Sequence, residues 1–251
     1  MKKFRIHPSF YLLILFAIIL GLTRDLFLIL LVLLIHEVGH YFFIKLFDCK
    51  INKTTIFPFG GIIDYQHKND FLFKEILISL GGIIFNFLFF KLFLLFKFYN
   101  IAHLNFFFFV INILPILPLD GGRFFLFMIS YIFPYRMSKI ISHFLSIFLS
   151  LFLIIYFVYY FSGIYLLLFL TLFIKINIDA LKNLRREYNH FILIKHLYPN
   201  LKFREKTTRF WTYSPIDNIF YQKIMTFDYE SFKISEKEIL LKYFSKQKTG
   251  L

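Results

Sequence analysis

Long apolar runs, separated by short polar or basic breaks, fill the first 176 residues of the chain. About 20 consecutive apolar residues allow a helix to cross a bilayer. The pattern therefore predicts six membrane helices, over residues 8–22, 26–47, 75–98, from about 104 onward, 140–161 and 164–176. From residue 177 onward charges become frequent and the apolar runs shorten, which predicts a separate C-terminal region.

Two stretches have the texture of water-exposed structure. Within residues 48–74, a β-prone run is followed by Pro58 and then by Gly60 and Gly61. This pattern predicts a small β-hairpin at the membrane surface, although an ordinary interfacial loop is equally compatible with it. In the C-terminal region we predict an amphipathic helix on the membrane surface over residues 179–196, and short helices over 214–225 and 235–244.

Composition supports this assignment, because 59% of the residues are hydrophobic, 40 are Phe, and the mean hydropathy is +0.67. A soluble domain cannot bury that much apolar surface. The predicted fold class is therefore an all-α polytopic membrane protein. It has about six transmembrane helices, a small membrane-associated β-hairpin and a small cytoplasmic C-terminal region.

The net charge of +14 has two readings, nucleic-acid binding or basic cytoplasmic loops. In a chain this apolar the second is favoured, since Lys and Arg concentrate on the cytoplasmic side of membrane proteins. We therefore expect cytoplasmic N- and C-termini and no direct contact with nucleic acid. The first apolar run lacks a small-residue cleavage site and is interpreted as a retained helix. A single cysteine excludes a disulfide framework and a Cys-based zinc site.

The chemistry is concentrated in the sequence His36-Glu37-Val38-Gly39-His40, which lies inside an apolar run. On a helix His36 and His40 share one face, so both imidazoles can bind one Zn²⁺. Glu37 lies beside the first ligand and can act on a water molecule at the metal as a general base. Ionisable residues in a membrane helix favour a functional interpretation over a pair of hydrogen-bonded core histidines.

A second polar stretch runs from Asn112 through Pro115 and Pro118 to Asp120 and two glycines. Two prolines three residues apart break a helix, and broken helix within a membrane persists only where protein or a polar cavity covers it. A catalytic zinc site needs three protein ligands and an open position. We predict Asp120 as the third ligand, against the alternative of a Pro-kinked helix with a capping aspartate.

Small and polar residues also stand out in the third predicted helix, where Gly81 and Gly82 precede Asn86. Glycines allow helices to approach closely, and a buried amide can hydrogen-bond across the interface. Packing alone accounts for the glycines. Asn86 and Asn112 are candidates for supporting the active site.

The His36–His40 motif and the Asn112–Gly122 stretch together resemble the paired motifs of the site-2 protease family of intramembrane zinc metalloproteases. The segment around Phe59, Gly60 and Gly61, and the Gly81–Asn86 segment, are similar to two lesser landmarks of that family. The order, spacing and six-helix layout resemble its sporulation branch most closely. The resemblance covers about residues 1–200.

The resemblance implies zinc as cofactor and a membrane-associated protein as substrate, of the pro-sigma type in the sporulation branch. It also implies regulation by inhibitory membrane proteins and a bacterial inner membrane or mother-cell membrane location. The expected domains are a transmembrane metalloprotease domain over 1–176 and a cytoplasmic region over 177–251, the latter a shortened form of the nucleotide-sensing cystathionine-β-synthase type. The expected substrate-strand region is Phe59, Gly60 and Gly61, which would hold an extended peptide by strand addition. The other expected partners are the lipid bilayer and, as an open alternative, further copies of the chain.

Two further classes of function stay open at this point. Within the family, the substrate could instead be an anti-sigma factor or a small peptide. From outside it, the chain could be a metal-binding membrane transporter or a non-enzymatic adaptor. A transporter should carry polar residues along a continuous path, whereas here polarity clusters at one site. An adaptor would keep its function after Glu37→Gln.

Overall fold

The computed structural model describes residues 3–6, 8–57, 60–66, 71–160, 164–197, 204–209, 219, 223–229, 232–235 and 239–241. Seven helices lie in this part of the chain: α1 (Pro8–Ile19), α2 (Thr23–Leu46), α3 (Phe71–Leu95), α4 (Tyr99–Ile113), α5 (Asp120–Ile129), α6 (Tyr135–Tyr160) and α7 (Ile164–Leu197). The strands are β1 (Lys3–Ile6), β2 (Lys50–Phe57), β3 (Gly60–Gln66), β4 (Arg204–Arg209), β5 (Lys223–Tyr229) and β6 (Phe232–Ser235). The fold is therefore mostly helical, with small sheets attached.

Among the described residues, three helices are long and apolar enough to cross a membrane: Thr23–Leu46, Leu72–Leu95 and Tyr135–Tyr159. Helices α1 and α4 are apolar but shorter. Many large apolar side chains on these helices are exposed, which suits contact with lipid rather than water. The chain is an integral membrane protein, and the count of six crossings stays a prediction.

The predicted hairpin is present, since β2 pairs antiparallel with β3 and Phe57 lies opposite Gly60. It belongs to a larger sheet, because β1 pairs in parallel with β2 and gives the order β1-β2-β3. Strand β1 lies in what the sequence indicated only as a basic N-terminal segment. The second sheet has the order β4-β5-β6.

The chain forms two compact units. The first comprises Met1–Lys68, Phe73–Leu114 and Leu119–Phe124, and the second comprises Asn69–Leu72, Pro115–Pro118 and Phe125–Leu251. In the first unit, an apolar cluster of Ile44, Cys49 and Ile78 joins α2 and α3 to the β2–β3 hairpin. In the second, Tyr135, Tyr188, Ile192, Ile219 and Leu240 form a core that joins α6 and α7 to the C-terminal segment.

Several predicted boundaries were wrong. The sixth helix and the amphipathic helix are one continuous helix, α7, because no glycine or proline interrupts residues 164–197. A helix over 214–225 is contradicted by β5, which begins at Lys223; of its other residues only Ile219 is described. In the predicted helix over 235–244, Ser235 ends β6 and residues 239–241 are helical, so the helix begins later.

The proline-containing break between α4 and α5 is held by side chains of the second unit. The Leu117 N–H donates to Ser146 Oγ at 2.8 Å, and Asn177 Nδ2 donates to the Leu117 carbonyl at 2.7 Å. Asn177 Oδ1 in turn accepts from His143 Nδ1 at 2.8 Å. Irregular backbone is tolerated in an apolar layer when its polar groups are satisfied in this way. His143, which the sequence indicated as a packing residue, takes part in this network.

Candidate metal centre

Helix α2 places His36 and His40 on one buried face, with 6% and 9% of their surfaces exposed. His40 Nδ1 lies 2.7 Å from the Ile78 carbonyl oxygen, which can only accept a hydrogen bond. The Nδ1 of His40 therefore carries the proton. Its Nε2 is left with a lone pair that points away from Ile78 and is available to a metal.

The tautomer of His36 follows from a chain of two buried amides. Asn105 Nδ2 donates to the Ile101 carbonyl at 2.9 Å, so Asn105 Oδ1 is the atom that accepts from Asn86 Nδ2 at 3.1 Å. Asn86 Oδ1 must then be an acceptor, and it lies 2.6 Å from His36 Nδ1. His36 Nδ1 donates this bond, which leaves its Nε2 lone pair for a metal.

Asp120 begins helix α5 and completes the group. Its Oδ2 lies 2.9 Å from His36 Nε2 and 3.0 Å from His40 Nε2, and the two Nε2 atoms are 3.1 Å apart. In these tautomers all three atoms are acceptors, and Asp120 Oδ2 has no hydrogen-bond partner among the described residues. Buried acceptors that converge without a donor repel one another unless a cation lies between them.

The geometry fits zinc. Tetrahedral Zn²⁺ with bonds of about 2.0–2.1 Å places neighbouring ligand atoms about 3.3 Å apart. The observed triangle has nearly these dimensions, and its two imidazoles and one carboxylate are a donor set that zinc accepts. His36, His40 and Asp120 can therefore hold one ion and leave a fourth position open.

Glycines set the position of His36 and of helix α2. A Cβ built on Gly81 would lie 2.6 Å from the Gly39 carbonyl oxygen, so α2 and α3 cross backbone to backbone at these two residues. A Cβ on Gly82 would overlap the His36 ring, at 2.6 Å from its Nδ1 and Nε2 atoms. The imidazole thus fills the space that a side chain at Gly82 would need.

Glu37 lies next to the ligands and is half-buried. Its Oε1 accepts a hydrogen bond of 2.7 Å from the Gly61 N–H on β3. Gly60 has φ +147°, which favours glycine, and a Cβ there would lie 3.1 Å from Oε1. The predicted Gly60-Gly61 segment therefore touches the carboxylate of Glu37. Phe59, the third residue of that prediction, lies outside the described residues.

The remaining candidates are placed differently. Asn86 contacts His36 directly, whereas Asn112 Nδ2 donates to the Phe108 carbonyl of its own helix at 3.0 Å. The supporting role of Asn112 stays a prediction. Asn105 was missed by the sequence reasoning; a polar residue in the apolar run Ile101–Ile111 was the available signal.

Comparison with known proteins agrees with this geometry. Residues 25–101 match the sequence profile of peptidase family M50. Stage IV sporulation protein FB of Bacillus subtilis (strain 168) is 29% identical over 155 residues, which cover 56% of this chain and 52% of that protein. The match therefore spans about half the length of this curated relative.

The fold is similar to that of a solved site-2 protease. The structure of the site-2 protease from Methanocaldococcus jannaschii superposes with a TM-score of 0.57 at 20% identity, over 72% of this chain and 92% of that one. These matches confirm the resemblance to the M50, or site-2 protease, family. Members of this family are zinc metalloproteases, which confirms the expected cofactor.

Proposed function

We propose that the chain is an intramembrane zinc endopeptidase that hydrolyses a peptide bond of a membrane-associated protein within or near the membrane. The observation that carries this proposal is the buried group of His36, His40 and Asp120 beside Glu37. Buried ionisable residues are costly in a membrane, so a group of this kind indicates a functional site rather than ordinary packing.

The protein residues divide the work. His36, His40 and Asp120 would hold the ion, and Asn86 would orient His36. When bound, zinc supplies a Lewis acid that polarises the scissile carbonyl and makes water a stronger acid. Glu37 takes the proton of the attacking water and delivers it to the leaving amine.

The substrate has to be extended at the site, because a helix hides its carbonyls in hydrogen bonds. Strand β3 is an edge strand of its sheet, and its first residues contact Glu37. Addition of a substrate strand to this edge, near Phe59, Gly60 and Gly61, would bring a peptide carbonyl to the metal centre. The contact between Gly61 and Glu37 supports this orientation.

For the substrate we propose a pro-sigma-type protein in sporulation. The relative named stage IV sporulation protein FB supports this setting. The proposal includes six crossings with both termini in the cytoplasm, in the inner membrane or the mother-cell membrane. It also divides the chain into a protease domain (1–176) and a regulatory region (177–251), with inhibitory membrane proteins as further partners. The alternative substrate is an anti-sigma factor or a small peptide.

The test uses purified protein in detergent with a tagged pro-sigma-type substrate. Wild type is compared with Glu37→Gln, and Glu187→Gln, on α7, is the matched control. We expect cleavage by wild type and by the control, and none by Glu37→Gln although it retains about one zinc. Cleavage that survives Glu37→Gln would contradict the assignment of the base. If wild type and both variants bind zinc and none of them cleaves, the proposal of a pro-sigma-type substrate is wrong.

A further inference from the structure

A second buried carboxylate lies close to the metal centre. Glu75, in the first turns of α3, is 6% exposed. Its Oε2 accepts a hydrogen bond of 2.9 Å from the Tyr65 hydroxyl on β3 and lies 3.8 Å from Arg123 Nη2 on α5. A buried carboxylate needs such partners, because its isolated charge is costly in an apolar surrounding.

Arg123 has a second carboxylate within reach. It follows Asp120 by three residues on α5, and residues at this spacing lie next to each other on a helix. Asp120, Glu75 and Tyr65 all lie near enough to Arg123 to interact with its charge. The long, partly exposed side chain of Arg123 can therefore turn toward either carboxylate.

The two choices have opposite consequences for the metal. A guanidinium that binds a carboxylate through paired charged hydrogen bonds takes up one lone pair on each oxygen and brings a positive charge to the group, and both effects oppose binding of a metal cation. If Arg123 bound Asp120, the third ligand would be engaged. In the structure Arg123 lies beside Glu75 instead, and Asp120 Oδ2 faces the two histidines.

We propose that Glu75, supported by Tyr65, is a positioning residue that holds Arg123 away from Asp120 and so keeps this ligand available to zinc. The inference rests on the proposed function. It assigns a specific reason for a buried acid beside the sheet: the acid pairs with a cation that would otherwise compete with the metal. The charges then separate into two groups, with Asp120 among the residues that would hold zinc, Glu37 next to them, and Glu75 beside Arg123.

The test measures zinc affinity by competition with a chelator in detergent, on the full chain. In Glu75→Gln the carboxylate charge is lost and Arg123 is released, so we expect zinc binding at least about tenfold weaker. In the double variant Glu75→Gln/Arg123→Gln the competing guanidinium is gone, and affinity should return to within about threefold of wild type. Tyr65→Phe removes one partner of Glu75 and should weaken binding by less. Arg24→Gln, at the start of α2, is the control.

The rescue separates positioning from a structural role. If Glu75 only stabilises the fold, the double variant binds zinc no better than Glu75→Gln, and the proposal is overturned. Unchanged affinity in a folded Glu75→Gln would overturn it as well. If Glu75→Gln does not fold, Arg123→Gln alone decides. Affinity at or above that of wild type supports the proposal, while weaker binding would mean that Arg123 assists the site and would overturn the proposal. Wild type without zinc would instead contradict the proposed function.

Discussion

His36 Nδ1 lies 2.6 Å from Asn86 Oδ1, and this contact determines which ring nitrogen of His36 is left to face His40 and Asp120. The direction of this hydrogen bond follows from Asn105. The Ile101 carbonyl can only accept, so Asn105 donates to it through Nδ2 and accepts from Asn86 Nδ2 through Oδ1. A histidine in an apolar helix thus acquires its tautomer from two amides that lie outside the group of His36, His40 and Asp120. Partners of this kind orient the ring and increase its basicity.

The first prediction concerns the hydrogen-bond chain from Asn105 through Asn86 to His36. Asn86→Leu keeps the side-chain volume but removes the acceptor for His36 Nδ1, so the ring loses its orientation. We expect zinc affinity to fall by about 10–100-fold, measured by chelator competition. Asn100→Leu, on the exposed start of α4, is the matched control and should bind zinc like wild type. Equal zinc affinity in both variants would contradict a role of this hydrogen-bond chain in zinc binding.

Substitution of the neighbouring glycines Gly81 and Gly82 should affect the protein in different ways. Gly81→Ala presses a methyl group against the Gly39 backbone and should lower the thermal stability of the protein, since backbone cannot move aside. Gly82→Ala presses against the His36 ring and should chiefly weaken zinc binding. Thermal unfolding and zinc content of both variants are compared. The same loss in both readouts for both variants would show that the two contacts are not distinct.

Two buried serines on α6 provide a stability test within the second unit. Ser146 Oγ accepts from the Leu117 N–H, whereas Ser150 Oγ has no partner in the described part of the chain. Ser146→Ala leaves a buried N–H unpaired and should cost about 1–3 kcal/mol. Ser150→Ala removes an unsatisfied hydroxyl and should be neutral or stabilising. Denaturant unfolding in detergent measures the stability of both variants. A larger loss of stability for Ser150→Ala would contradict the stabilising role of the hydrogen bond from the Leu117 N–H to Ser146.

Cys49 is the only cysteine of the chain, so its reactivity can be followed without ambiguity. Burial raises the pKa of its thiol, and the nearby Glu75 and Asp48 carboxylates add to this against the opposing effect of Lys74. A higher pKa means less thiolate at about pH 8, so alkylation should be slower than for a free thiol and accelerate above that pH. The unfolded protein is the control. Alkylation of the folded chain at the unfolded rate would contradict the burial.

The grouping of His36, His40 and Asp120 could be predicted from sequence because it is encoded in residue type and spacing. Two histidines four residues apart, and an aspartate after two prolines, are visible without coordinates. The contact of Gly61 with Glu37 was not predicted, since it depends on how the sheet packs against α2; the sequence indicated Gly61 only as part of a substrate-strand region. Glu75 was interpreted merely as the start of a helix, because its partners Tyr65 and Arg123 are distant in sequence.

The C-terminal region was harder to predict. Strand β5, with the sequence Lys-Ile-Met-Thr-Phe-Asp-Tyr, alternates imperfectly between polar and apolar residues, and this pattern was mistaken for part of a helix. Strand β1 has four residues, two of them basic, and owes its conformation to pairing with β2 rather than to its own propensity. Long-range pairing of this kind leaves little trace in a single sequence.

The central claim is that His36, His40 and Asp120 form one zinc site with Glu37 beside it but outside the ligand set. Its most direct test is the zinc content per chain of the protein purified in detergent. We predict about one zinc in wild type and in Glu37→Gln, and little or none in His40→Ala and Asp120→Ala, since two ligands hold zinc weakly. Wild type without zinc, or Asp120→Ala with the affinity of wild type, would contradict the claim.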